Sequence, residues 1–172
     1  MLMPVTIKKH QPSAPSPQPL AVFIGRFQPF HIGHLDAFSR MRRETGRVKI
    51  LIGSSNRSRT LENPLTYAER RGYIRSVLGP DVPVTPLPDH PSDDVWLEHL
   101  RRHLGPGAVV YSGNEWVKGI CREAGIPFKE ITYSVDVSAT RIRSMIAAGD
   151  ESYLRLVPGK PLPEAIFSVL RS

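Results

Sequence analysis

The sequence predicts a doubly wound α/β fold, a parallel sheet covered by helices on both faces. Short apolar runs alternate with amphipathic helical stretches, and such alternation implies right-handed crossovers between parallel strands. Capping residues stand where these helices should begin and end. The length of 172 residues suits one ordinary hydrophobic core and is small for two.

Each element follows from its local pattern. Leu20 to Ile24 is an apolar run closed by Gly25, and Leu35, Phe38 and Met41 recur at helical spacing after Pro29. Val48 to Gly53 repeats the buried-strand pattern. A long polar loop then leads to Thr66-Tyr67-Ala68-Glu69, a capping box opening a helix that runs to about Leu78. Val82 to Leu87 reads as an interrupted strand, and Trp96, Leu100 and Leu104 lie at helical spacing after Asp93-Asp94. Ala108 to Tyr111 is a strand. Asn114 can cap a helix carrying Val117, Ile120 and Cys121, closed by Gly125. A strand at Phe128 to Thr132 precedes a helix from Ser138 to Ala148 that Gly149 ends, and a last helix is expected near Leu162 to Leu170. The first 19 residues hold Lys8, Lys9 and the prolines 4, 12, 15, 17 and 19 without apolar periodicity, which predicts a disordered leader over 1–19 and one domain over 20–172.

Composition narrows the function classes. No apolar run approaches the roughly 18 residues of a membrane-spanning helix, so a membrane partner is not expected. A single cysteine, Cys121, allows no internal disulfide, and the start lacks an apolar signal core, which favours the cytoplasm. The net charge of +7 suits an anionic ligand, and free nucleotides and nucleic acid both fit it. Nucleic acid is the weaker expectation, because no basic-aromatic surface pattern appears.

In doubly wound sheets ligands bind outside the carboxyl ends of the strands. There the sequence reads Gly25-Arg26-Phe27-Gln28-Pro29-Phe30-His31-Ile32-Gly33-His34, between the first strand and its helix, where free amides and the helix dipole favour phosphate. Gly33 would let a ligand approach the backbone. His31 and His34, three apart, should share one face of the first turn and converge on one anion. Alone, the pair suits a structural role better than a functional one. His99 and His103 could be read as metal ligands, but no Glu follows the first and no third ligand is evident. Ser138-Ala139-Thr140-Arg141-Ile142-Arg143 lies at a second helix start. Its hydroxyls and amides can hold phosphate oxygens, and Arg143 can offer them a planar fork. The chain lacks a Walker A or GxGxxG run.

His-x-Gly-His followed by Ser-x-Thr-x-x-Arg resembles the two motifs of the HxGH nucleotidyltransferase superfamily. The longer string from Gly25 to His34 resembles the archaeal-type nicotinamide mononucleotide adenylyltransferases and their Nudix-fused bacterial relatives. The likeness runs through Gly53-Ser54-Ser55, Asn63 to Thr66 with Glu69-Arg70, Asp89, Asp93 and Trp96, and Tyr111 to Asn114, covering roughly residues 20 to 165. It departs at Arg59, where many members have His, and at Glu62, which replaces a common basic residue; no Nudix box is present.

The resemblance implies a Rossmann-like nucleotidyltransferase fold that joins ATP to nicotinamide mononucleotide, giving NAD and pyrophosphate by direct in-line attack. It implies His31, His34 and Arg143 as catalytic residues, and Gly25, Arg26, Phe27, Gly33, Asn114, Ser138 and Thr140 at ATP. Asp89, Asp93 and Trp96 would meet the acceptor, with Arg59 and Arg70 as candidate phosphate contacts. Mg²⁺ would accompany ATP, with no protein metal site, and a homo-oligomer is left open. The rivals are another phosphorylated acceptor, such as nicotinate mononucleotide or pantetheine phosphate, and a non-catalytic binder of nucleotide or RNA.

Overall fold

The computed structural model describes residues 18–172, so residues 1–17 of the expected leader lie outside the described residues. Five parallel strands form one sheet in the order β3-β2-β1-β4-β5: β1 Leu20–Gly25, β2 Arg47–Gly53, β3 Val84–Leu87, β4 Ala108–Ser112 and β5 Phe128–Glu130. Between them run α1 Ile32–Thr45, α2 Tyr67–Leu78, α3 Asp93–Arg101 and α4 Glu115–Glu123. After β5 come α5 Ala139–Ala147, a 3₁₀ turn Glu151–Arg155 and α6 Ala165–Leu170. This is the doubly wound parallel fold that the alternation predicts.

Side chains alternate across the strands and so divide the interior in two. Ala21 and Phe23 of β1, Ile50 and Ile52 of β2 and Val84 of β3 pack with Phe38 of α1, Ile74 of α2, Ile142 of α5 and Ile166 of α6. Val22 and Ile24, Leu51 and Val110 face the other way, against Trp96 and Leu100 of α3 and Val117 and Cys121 of α4. The chain winds outward from the central β1 first through β2 to β3 and then through β4 to β5, so the strand order reverses between β1 and β4, and a cleft opens outside their carboxyl ends.

The observed boundaries differ from the sequence reading for local reasons. α1 begins only at Ile32 because His31 is its N-cap, with φ −136°. β3 starts two residues late, since Ile50 bonds the Pro83 carbonyl before the ladder begins, and Pro86 is tolerated because β3 is an edge strand. Leu104 follows α3 in a turn, where its amide bonds Arg101. β5 stops at Glu130; Ile131 still reaches the Ser112 carbonyl before the chain leaves the sheet. Pro161 and Pro163 delay α6 to Ala165.

One buried side chain ties the strand ends together. Arg70, 1% exposed, rises from α2 and donates through Nη1 to the carbonyls of Arg26 and Gly53, both at 2.9 Å. Its Nη2 donates to Ser54 at 3.0 Å and its Nε to Thr66 at 3.2 Å. Burial pushes its pKa down to about 10, still cationic at neutral pH. The candidate phosphate contact therefore spends its donors on backbone. Arg70→Met would leave three loop carbonyls unpaired at about 1–3 kcal/mol each. The expected loss of stability is at least about 3 kcal/mol, read from the urea midpoint, with Arg70→Lys recovering only part because a point charge cannot reproduce the fork.

Candidate active site

The cleft has a volume of about 680 Å³, within the range of small-ligand pockets. Its floor is the loop from Gly25 to His31. Phe27 adopts φ +53°, which folds its ring back over Gly25; a Cβ on Gly25 would lie 2.8 Å from that ring. Gly25 is glycine because Phe27 occupies its side-chain space. Gln28 fixes the next peptide, its side chain donating to the Leu65 carbonyl at 2.9 Å and accepting from the Leu65 amide at 3.0 Å. Nothing in the helical periodicity marks Gln28 for this role.

His31 and His34 form a reciprocal cap. The His34 amide donates to His31 Nδ1 at 3.4 Å, and the His31 amide donates to His34 Nδ1 at 3.1 Å. Both Nδ1 atoms accept, so each neutral ring carries its proton on Nε2. The rings stack with centroids 3.6 Å apart, and Phe27 and Phe30 wall His34 at 4.9 and 5.3 Å. Burial pushes the pKa of His31 down to about 4. Burial, and then the neighbouring His31, hold that of His34 well below its ordinary value. Two uncharged imidazoles therefore offer N–H donors at neutral pH.

Across the cleft, α5 begins with Ser138 as N-cap, its Oγ accepting from the Arg141 amide at 3.1 Å. Arg143, 9% exposed, donates to the Gln28 carbonyl at 2.9 Å and to Thr140 Oγ1 at 3.3 Å. Burial, followed by the nearby charge of Arg26, lowers its pKa, while Glu62 opposes the shift. Arg26 is exposed at the cleft wall. Two cations, two imidazole N–H groups and the free amides at the start of α5 thus face one space, an arrangement suited to a polyphosphate.

The remaining sequence candidates separate. Asp89 and Trp96 line the cleft, as does Asn114, whose side chain caps α4 by accepting from Trp116 and Val117. Asp89 accepts from Ser54 Oγ at 3.0 Å and pairs with Arg57 at 3.5 Å. Asp93 is the first residue of α3, exposed and outside the cleft lining. Arg59 is held by a fork to Glu69 at 2.7 and 2.9 Å, also outside it. The room left by Gly33 is filled by the protein itself: a Cβ there would meet Val137 at 2.8 Å and the Tyr133 ring at 3.1 Å. Trp96 is only 2% exposed, and the open indole is Trp116, 44% exposed and edge-on to Trp96 at 4.6 Å. Trp116 and Tyr133 also line the cleft and escape sequence reasoning; the one available signal is an aromatic placed two residues after the Asn114 cap.

Comparison with known proteins identifies the family. Residues 22–145 match the cytidylyltransferase-like family model. The nicotinamide-nucleotide adenylyltransferase of Ignicoccus hospitalis is 35% identical over 150 residues, covering 80% of this chain and 85% of that protein. The enzyme of the same name from Methanosarcina acetivorans is 36% identical over 152 residues, covering 85% and 86%. The fold is like that of a bifunctional NMN adenylyltransferase/ADP ribose pyrophosphatase from Francisella tularensis, crystallised with AMP and a Mn ion. The TM-score is 0.68 at 21% identity, over 89% of this chain and 52%, about half, of that one. The chain belongs to the cytidylyltransferase-like family and, within it, to the archaeal-type nicotinamide-nucleotide adenylyltransferases.

Proposed function

We propose that the chain transfers AMP from ATP to nicotinamide mononucleotide, forming NAD and pyrophosphate. The observation that carries this reading is the stacked histidine pair with both Nε2–H groups available beside Arg143 and the start of α5. A phosphate oxygen of the acceptor attacks the α-phosphorus of ATP. The bond from that phosphorus to the bridging oxygen breaks, and pyrophosphate leaves with the electron pair. No side chain need become covalently attached, so the protein acts by positioning and by stabilising developing charge. His31 and His34 donate to the α-phosphate oxygens; Arg143, Arg26, Ser138, Thr140 and the α5 amides hold the phosphates that depart.

Mg²⁺ enters in this reading with ATP. Among the described residues no group of three His, Cys, Asp or Glu side chains could hold a metal ion, and Asp89, in the cleft, is already engaged by Ser54 and Arg57. The residues do not form a cage, which fits an ion carried by phosphate oxygens and water. No helix among the described residues is long and apolar enough to cross a membrane, and a cytoplasmic location goes with this reading.

The acceptor's pyridine ring packs against the Trp96–Trp116 pair, with Trp116 offering the open face and Asp89 a polar edge. Nicotinamide is favoured over nicotinate because Asp89 would repel a second carboxylate. The overall test is pyrophosphate release from ATP and Mg²⁺ with a panel of phosphorylated acceptors, the product being weighed by mass spectrometry. NAD as the main product is expected; turnover with pantetheine phosphate alone would overturn the acceptor.

Two variants probe the site. His34→Ala is expected to slow single-turnover chemistry roughly 10²- to 10³-fold, with ATP affinity changed far less, since a donor of this kind acts most strongly on developing charge. A rate within a few-fold of the parent would remove His34 from the chemistry. Trp116→Ala should weaken acceptor binding roughly tenfold, sparing ATP, from lost stacking and contact area. Equal weakening of both substrates would displace the ring from this indole.

A further inference from the structure

The loop between β5 and α5 is tied to the outer surface of α1 through a set of polar contacts that the proposed chemistry does not use. Ser134 Oγ donates to Asp36 Oδ2 at 2.8 Å. Asp36 also pairs with Arg40 one turn along the helix, Nε to Oδ2 at 3.2 Å, and Arg40 Nη2 donates to the Thr132 carbonyl. The strap thus holds residues 132 and 134, on either side of Tyr133. Between these anchors the Tyr133 ring lies edge-on to both imidazoles, centroids 5.5 Å from His31 and 5.6 Å from His34, at 78° and 88°. It rests over Gly33, where any Cβ would come within 3.1 Å of the ring. The contacts of Tyr133 with the histidine pair are made by its ring.

We propose that Tyr133, held by the Asp36–Arg40–Ser134 strap, is a positioning residue that closes the outer side of the histidine pair and keeps the two rings stacked, with Nε2–H facing the cleft. The inference rests on the nucleotidyl-transfer reading for its purpose, but its geometry stands apart from that reading. An imidazole surrounded by phenylalanines on one side and water on the other would be half hydrated. The Tyr133 ring, itself 37% exposed, covers that side with its edge-on contacts to both imidazoles. Its effect agrees with the titration of the pair, since burial is the cause that holds His31 near 4, and burial of Tyr133 itself pushes its phenol up to about 12. The charged groups that share the cleft are Arg26 from the β1–α1 loop, Arg143 from α5 and Asp89 from the β3–α3 loop, with Glu62 acting on Arg143. Burial is the cause of the shift at His31, and at His34 the neighbouring His31 adds to it; that neighbour remains when the tyrosine is removed, so the contribution of the ring can be isolated.

The sign follows from the direction of the shift. A histidine held low is neutral at pH 7, so its Nδ1 goes on accepting the capping backbone amide until the pH falls towards 4; protonation there breaks the reciprocal cap that aims the ring while leaving Nε2–H in place. Removing the ring admits water, stabilises the imidazolium and raises the pKa towards 6.5. The experiment uses the full chain with Tyr133→Ala, Tyr133→Phe and Ser134→Ala, each checked for folding by circular dichroism. The first readout is the pH titration of the His31 ring protons by NMR, which needs no substrate. Tyr133→Ala should raise the midpoint by about one pH unit or more; Ser134→Ala, which cuts the strap, should raise it less, and Tyr133→Phe should retain the wild-type titration. The second readout is the ratio of variant to wild-type single-turnover rate between pH 5 and 8, in which titration of the substrates cancels. The ratio for Tyr133→Ala should fall as the pH drops through 6.5, and that for Tyr133→Phe should stay flat. An unmoved His31 midpoint in both Tyr133→Ala and Ser134→Ala would overturn the proposal, as would Tyr133→Phe behaving like Tyr133→Ala. Should Tyr133→Ala fail to fold, Ser134→Ala decides by the same measure. A shifted titration with no nucleotidyl transfer in the parent would sink the functional reading and leave the positioning role standing.

Discussion

The floor of the cleft depends on side chains borrowed from distant segments to hold the β1–α1 loop. That loop leaves the sheet at the point where strand order reverses, so its carbonyls have no ladder partners. Arg70 takes the carbonyls of Arg26, Gly53 and Ser54, and Arg143 takes that of Gln28. The Gln28 side chain meanwhile locks onto Leu65 at both ends of its amide. Without these contacts the loop would keep its unpaired groups in water, and neither the turn at Phe27 nor the cap at His31 would have a fixed starting direction. The imidazoles inherit their positions from an arginine on another helix.

A second constraint comes from burial. The histidines are 2% and 7% exposed, which disfavours their charged forms and leaves two neutral donors. Positive charge in the cleft is supplied instead by arginines, which stay protonated when desolvated. The division suits the proposed reaction, in which negative charge moves from the α-phosphate region onto the leaving group: short fixed donors would meet the reacting phosphate, and full charges the phosphates that depart. Arg143 joins the two parts, since one of its donors fixes the loop that carries the histidines.

The two halves of the interior contribute differently to the cleft. The half containing α1, α2, α5 and α6 supplies the histidine loop and its supports. The half containing α3 and α4 supplies the tryptophan pair, in which Trp96 is built into the core while Trp116 projects from the first turn of α4. A buried indole thereby backs an exposed one, which gives a flat ligand a rigid aromatic surface with little ordering cost on binding.

The sequence by itself determined the alternation of strands and helices, the caps at Thr66 and Asn114, and the two motifs at the strand ends. Each is written in residues close along the chain, where periodicity and capping act. It could not assign the partners of isolated residues. Arg59 and Arg70 suit phosphate by charge, yet the tertiary structure gives one to Glu69 and the other to loop carbonyls. Gly33 is read locally as space for a ligand and is filled by Tyr133 and Val137. Trp96 proved to be the buried member of a pair whose open member, Trp116, is marked locally only by its place two residues after the Asn114 cap. The reason is common to all of them: the partner of a side chain is set by which strands become neighbours. The order β3-β2-β1-β4-β5 brings residues from the segments after β2, β3, β4 and β5 around the loop after β1, and no short-range pattern records that meeting.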